Sequence, residues 1–368
     1  MMKRMICAFL AVMLGISVCG FAMAESGHFT VDGAGSYSNL KDAVAAAKNG
    51  SKIQLVGGNL TGGAVIIPSG SHLTIDFGGY TYTATAPWVG SKGTESQAMQ
   101  LLKDSTITLQ NGTLTAKESG GYPKLMIQNY ANLTLRNFTV DAKNLSTVEY
   151  VCSNNNGDVL YTGNTSILAA PGKVAFDVCG FSNTSTYPGP KVKVETTGTI
   201  DGVVEYSYNT AHSPSNVKLE ITSGSFTQKF NPASDPKTEG IQISGGRYAV
   251  EPSSDYVKAG LVVKDAHPAT PYHIGADAES AIAAAPAGST LTVVKGSAIN
   301  NVPAGVKVEN RTGGQITVNN QPLAPRGEMV IPHPVVPRTG DSTPIALYVL
   351  CAMLALACAV WMASRRRA

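Results

Sequence analysis

Between residues 72 and 250 the chain returns repeatedly to one pattern. Apolar and polar side chains alternate over a few residues, a Gly or Asn corner follows, and a second short alternating stretch comes after it. The stretches are HLTIDFGGYTYT (72–83), STITLQNGTLTA (105–116), NLTLRNFTVDA (132–142), KVKVETTGTIDG (191–202), VKLEITSGSFTQ (217–228) and GIQISGGRYAV (240–250). A period of two is that of a strand with one face buried. It turns Leu73, Ile75 and Phe77 inward with Thr74 and Asp76 outward, and Ile107 and Leu109 inward with Thr106 and Thr108 outward. Matching inward positions Ile75, Leu109 and Leu135 lie 34 and 26 residues apart, and Val194, Ile221 and Ile243 lie 27 and 22 apart. The gap of 59 from Leu135 to Val194 leaves room for one more unit, around Val159 to Ile167. A β-sandwich also yields many short strands, but successive strands there need not resemble one another. Corner and strand recurring as a unit predict a solenoid of stacked strands with loops of varying length.

A solenoid needs its ends closed, because an open end exposes apolar side chains and unpaired backbone. NLKDAVAAAKNG (39–50) supplies a capping helix: Asn39 caps it, Asp42 favours its first turn, Leu40, Ala43, Val44 and Ala47 share a face, and Gly50 ends it. DAVAAAKNGSKIQL (42–55) then aligns with SAIAAAPAGSTLTV (280–293), and GVKVEN and GQITVN follow as short strands. Residues 271–324 therefore read as a small α+β module. The helical cap leading into the first strand, and phrases such as LTIDFGGYTYT, resemble the pectate-lyase-like right-handed parallel β-helix over about residues 30–263. ISGGRYAVEPSSDYVKAGLVV (243–263) resembles the closing segment of such domains on surface proteins of gut Firmicutes. The expected fold class is all-β: a right-handed parallel β-helix with an N-terminal capping helix, the C-terminal module and a C-terminal transmembrane helix.

That last element comes from the end of the chain. Residues 345–363 are apolar and uncharged, and Arg365, Arg366 and Arg367 follow. Nineteen helical residues at ~1.5 Å each approach the thickness of a bilayer core, and the arginines place the preceding chain outside. Val336, Pro337, Arg338, Thr339 and Gly340 precede that run. The order of pentapeptide, apolar run and basic tail resembles the LPxTG sorting signal of Gram-positive surface proteins, with Val336 where Leu is commonest. The resemblance implies that a sortase cleaves between Thr339 and Gly340 and joins Thr339 to peptidoglycan. At the other end, Lys3 and Arg4 precede an apolar stretch, and Ala22-Met23-Ala24 forms an A-x-A site, so cleavage is expected between Ala24 and Glu25. The expected layout is a signal peptide (1–24), β-helix domain (25–270), α+β module (271–324), proline-rich stalk with the sorting motif (325–344), transmembrane helix (345–363) and basic cytoplasmic tail (364–368).

Composition narrows the partners. Setting aside five of the 28 basic residues and one of the 25 acidic residues, all in the terminal segments, leaves 23 against 24 between Glu25 and Thr339. That balance argues against nucleic acid or anionic membrane as a partner. Of six cysteines, Cys152 and Cys179 remain in the body, where they form either a disulfide or two separate stacked thiols. Outward acids Asp76, Asp141, Asp158, Asp177 and Asp201 are the raw material for sugar cleavage. Adjacent acidic pairs are absent, however, and Arg136 and Arg247 are the only arginines between Glu25 and Lys264. His28, His72, His212, His267, His273 and His333 are scattered with no metal-ligand spacing, so no metal, cofactor or catalytic residue is assigned. Tyr80, Tyr82 and Trp88, and separately Tyr206 and Tyr208, are candidate sugar-stacking aromatics. The sequence thus predicts a wall-anchored adhesin or display element that meets a polysaccharide or host-surface ligand. The alternative is a wall-attached polysaccharide lyase or hydrolase, for which Asp141, Asp158 and Asp177 would cluster with Arg136 in one groove.

Overall fold

The computed structural model describes residues 27–334 and 349–356, except 181–183, 209–211, 213–214, 229, 233–237 and 268. The chain divides into two units, Met1–Ile331 and Pro332–Ala368. In the first unit, the alternating stretches become strands that pair in register. Lys52–Val56, His72–Asp76, Thr106–Ala116, Asn132–Asp141, Gly157–Gly163, Pro190–Asp201, Lys218–Phe226 and Ile241–Ile243 form a parallel series. Its central inward row runs Ile53, Ile75, Leu109, Leu135, Tyr161, Val194, Ile221, Ile243, all buried. The expected extra unit between Leu135 and Val194 is present as Gly157–Gly163 and Ser166–Leu168.

Several strands are long enough to carry the corner within them. Asn111 and Asn137 take φ values of 54° and 49°, and the far halves of their strands pair with Thr81–Thr85 and Ser166–Leu168 respectively; Leu60–Gly63 pairs in turn with Thr81–Thr85, and Gly246–Tyr248 with the far half of Lys218–Phe226. At the first of these corners the backbones approach closely. A Cβ on Gly112 would lie 2.4 Å from the Cβ of Phe77, so no larger residue fits without movement. A separate seven-stranded sheet is parallel throughout: Val65–Ile67, Gln97–Leu101, Leu125–Asn129, Tyr150–Asn154, Val174–Gly180, Val203–Tyr208 and Phe230–Pro232.

The expected fold class is corrected on two counts. The nineteen-stranded sheet is mixed, so the chain is not a clear parallel β-helix. His28–Val31 joins it antiparallel to Lys52–Val56, and at the other end Tyr272–Ile274 joins antiparallel to both Gly246–Tyr248 and Val262–Lys264. A period-two pattern specifies which side chains face inward. It does not specify the direction of the strand that pairs alongside, because either direction buries the same face. Second, among the described residues no helix is long and apolar enough to cross a membrane, so the expected transmembrane helix over 345–363 is not supported. Residues 349–356 are helical and exposed, and the rest of that run lies outside the described residues.

The first helix, α1 (Leu40–Ala46), is capped as its sequence predicts: the Asn39 side chain accepts the Asp42 amide at 2.9 Å, and Leu40, Ala43 and Val44 are buried. It ends at Ala46, before Gly50. The second, α2 (Ala276–Ala283), precedes the strand Thr290–Lys295 and helps cover a second, smaller core that includes Val263, Ile282, Val293, Val308 and Val318. The larger core contains a group of rings. Phe77 lies 4.9 Å from Phe138, 6.5 Å from Phe29 and 6.4 Å from Tyr82 between ring centres.

Phe77 is fully buried in this group of rings. Phe77→Ala is therefore expected to lower the unfolding free energy by about 3–5 kcal/mol. Chemical denaturation would show this as a reduced midpoint with little change in slope.

Candidate functional site

The acids singled out in the sequence do not converge. Asp76 is buried and is used locally: it pairs with Lys52 at 3.1 Å and accepts from the Gly78 amide, Gln110 and Asn111. Burial pushes its carboxyl up, but these hydrogen bonds outweigh burial and hold it below the usual range. Asp141 accepts from the Lys143 amide at 3.0 Å. Asp201 accepts from Thr227 and Gln228 and lies 3.6 Å from Lys143. Asp158 is exposed and stands beside Lys191 in register. Arg136 is exposed in a row with Gln110 and Thr162. Asp177 belongs to the other sheet. The groove that would mark a lyase or hydrolase along Arg136 is not assembled.

In-register pairing instead produces runs of threonine and serine along part of the outward face. Thr74, Thr108 and Thr134 stand side by side on the outward face, followed by Leu160, Lys193 and Glu220. A second row holds Thr81, Thr113, Thr139 and Ser166. Threonine is both a good strand former and a hydrogen-bonding surface residue, so a face of this kind needs no catalytic explanation.

Near the start of the chain lies a cavity of about 520 Å³. Ile66, Pro87 and Trp88 line its apolar side, and Asn39, Lys41 and Asp42 its polar side. Trp88 is half-buried, with its indole N–H directed to the Ser119 carbonyl at 3.4 Å, while Ile66 is 37 % exposed. The other expected aromatics serve elsewhere. Tyr82 is in the core with its hydroxyl on the Gly63 carbonyl, and Tyr206 is buried with its hydroxyl on the Val217 carbonyl. Tyr80 is 36 % exposed but does not line the cavity.

The seven-stranded sheet carries a polar row that sequence reasoning did not find. Gln100, Gln128, Ser153, Asp177 and Glu205 are successive register partners. Asp177 is 7 % exposed and accepts from the Asn154 amide at 2.7 Å and from Ser153 Oγ at 3.2 Å. Burial raises its carboxyl to about 7, with Glu205 adding to the rise, against the lowering effect of those hydrogen bonds. Asp177 and Glu205 are 28 residues apart, and only the register of two strands about 4.8 Å apart brings them together. Tyr150 sits against Glu205, its phenol raised first by burial and then by that carboxylate. On the opposite face of the same sheet, Asn129 and Asn154 stack inside the core. Asn154 donates to Tyr161 Oη and to the Asp177 carbonyl, each at 2.9 Å.

Cys152 and Cys179 are free thiols, so the disulfide reading is set aside. Cys152 pairs with Phe176 in register, and Cys179 is an odd number of residues further on, so the two thiols leave opposite faces of the sheet. Burial pushes the Cys152 thiol well above its ordinary range. Among the described residues no group of acids, histidines and cysteines has metal-ligand geometry. The sorting residues Val336 to Gly340 and the cleavage residues Ala22, Ala24 and Glu25 lie outside the described residues. Comparison with known proteins finds no matching family, no matching characterised protein and no matching solved structure.

The Asp177 environment has a measurable consequence. Its folded carboxyl holds a proton more tightly than the unfolded chain does, so its contribution to stability is complete below about pH 4 and is lost as pH rises through about 7. A shift of this size corresponds to up to about 4 kcal/mol. Asp177→Asn is expected to flatten that decline, leaving the variant more stable than the parent at pH 8 but not at pH 4. Thermal unfolding across this pH range is the measurement.

Proposed function

We propose that the chain is a surface-display protein that binds glycans through the Trp88 cavity and is joined to peptidoglycan at Thr339. The observation that carries the binding reading is the composition of that cavity. An aromatic ring with Pro87 and Ile66 offers a flat apolar platform, and Asn39, Lys41 and Asp42 offer donors and acceptors beside it. A sugar ring has the complementary character, an apolar C–H face and a rim of hydroxyls. The Thr and Ser rows support a scaffold that is polar and chemically inert outside this cavity. The attachment reading rests on the sequence Val336-Pro337-Arg338-Thr339-Gly340 and on Pro325, Pro332 and Pro334, which favour an extended, accessible approach to it.

A second reading, polysaccharide hydrolysis, is favoured by one observation. Asp177 and Glu205 sit on adjacent strands in register, the former with a raised carboxyl and the latter beside a phenol. Two carboxyls on neighbouring strands, one of them holding its proton up to about 7, are the kind of pair that glycoside hydrolysis uses.

One panel separates the two. The purified protein is incubated with neutral and acidic polysaccharides, with and without calcium, and both retention and new chain ends are measured. Retention without new ends, weakened at least about tenfold by Trp88→Ala, is the expected result. New chain ends that disappear in Asp177→Asn and Glu205→Gln would replace binding with hydrolysis.

Attachment is tested separately with a purified sortase and an amine acceptor. Mass spectrometry is expected to find the acceptor joined to Thr339, and Gly340→Ala is expected to suppress the product. Release of an intact chain under both conditions would remove the attachment reading.

A further inference from the structure

A second cavity, of about 500 Å³, opens beside α2 where it lies on the sheet. Its polar end is built from a strand pair. Arg247 and His273 are direct cross-strand partners in the antiparallel pairing of Gly246–Tyr248 with Tyr272–Ile274, so both side chains leave the same face. His273 is 5 % exposed, yet among the described residues neither ring nitrogen has a hydrogen-bond partner. Its Nε2 lies 3.0 Å from Asp265 Oδ2, close but out of hydrogen-bond alignment. Arg247 Nε is also buried without a hydrogen bond, with Asp277 Oδ1 3.8 Å away. A buried polar group left this way is costly to the fold. Two adjacent ones facing a cavity are donors and acceptors waiting for a ligand or for ordered water.

The two carboxylates are held in place rather than free to swing. Asp277 Oδ2 accepts the Gly246 amide at 2.9 Å, and Asp265 Oδ1 accepts the His267 amide at 2.8 Å. Each thereby presents its other oxygen beside Arg247 or His273. The cavity also has an apolar wall, to which Ala281 of α2, Ala284 just past the end of that helix, and Leu291 contribute. The arrangement therefore combines fixed donors, fixed acceptors and an aliphatic wall. Charge decides among ligands. An anionic head would meet two carboxylates, and a cationic head would meet a guanidinium. An uncharged hydroxyl suits both, accepting from Arg247 or His273 while donating to a carboxylate.

We propose that this cavity binds an uncharged, polyhydroxylated ligand of mono- or disaccharide size, with its hydroxyls on Arg247, His273, Asp265 and Asp277 and its C–H face on Ala281 and Ala284. The volume suits such a ligand. The site is distinct from the Trp88 cavity, shares no lining residue with it, and does not depend on the glycan reading made there.

The test titrates the full-length chain with glucose, galactose and N-acetylglucosamine by calorimetry and saturation-transfer NMR, with glucuronate and glucosamine as charged counterparts. At least one neutral sugar is expected to bind saturably, and more tightly than the charged counterparts. Arg247→Gln removes the guanidinium at a half-exposed position, and a loss of at least about tenfold is expected. Ala284→Met fills part of the cavity without removing any of the four polar side chains, and binding is expected to vanish. Melting temperatures of both variants establish that they fold; should Ala284→Met not fold, the Arg247→Gln result decides. The proposal is overturned if none of the three sugars binds, if a charged counterpart binds more tightly, or if binding persists in the folded variants. Loss in Trp88→Ala alone would equally overturn it, by moving the sugar to the other cavity.

Discussion

The structure depends on strands that pair in register. When backbone hydrogen bonds hold one strand directly beside the next, each side chain stands about 4.8 Å from its counterpart, and whatever occupies a position must tolerate a neighbour of its own kind. Inside, this selects Ile53, Ile75, Leu109 and Leu135 in one row, where aliphatic groups fill the space between strands. Outside, it selects rows of threonine, whose hydroxyls neither repel one another nor require burial. Where a polar residue must lie within the core, Asn129 stacks on Asn154, because an amide offers both donor and acceptor to an identical neighbour. Charged groups fit this arrangement poorly, which accounts for the sparse charge of the whole chain.

The same constraint shapes the sites. An acid in such a ladder can be engaged by donors at a corner, or stand buried beside another acid, which raises its affinity for a proton. Asp76 and Asp201 follow the first course, each surrounded by donors from neighbouring strands. Asp177 follows the second, buried and in register with Glu205. The two cavities arise where register pairing gives way. One lies where α1 and the Trp88 loop flank the sheet, and the other where antiparallel strands meet α2.

Much of this was legible in advance. The inward positions Leu73, Ile75, Phe77, Ile107 and Leu109 are buried, the Asn39 cap forms, and the two strands expected between Leu135 and Val194 are there. Each follows from local chemistry: alternation, a capping oxygen, a corner residue. The closed parallel β-helix and the transmembrane helix did not survive, since alternation is silent on strand direction and apolar length alone does not establish a long helix. Of the aromatics, Trp88 lines a cavity but Tyr82 and Tyr206 are in the core, because a tyrosine in an alternating strand reads the same whether its ring faces in or out.

What the sequence determined by itself, then, is the alternating strands of the larger sheet, the aliphatic face that they bury, and a body with balanced charge and few ionisable groups. These are properties of near neighbours along the chain, and side-chain size and polarity settle them. Only the tertiary structure decided that Asp177 meets Glu205, that Cys152 and Cys179 turn away from each other, and that Arg247 and His273 line one cavity beside α2. Those encounters join residues about 25 or more positions apart. A slip of one residue in pairing would undo each of them while leaving the composition of every strand unchanged.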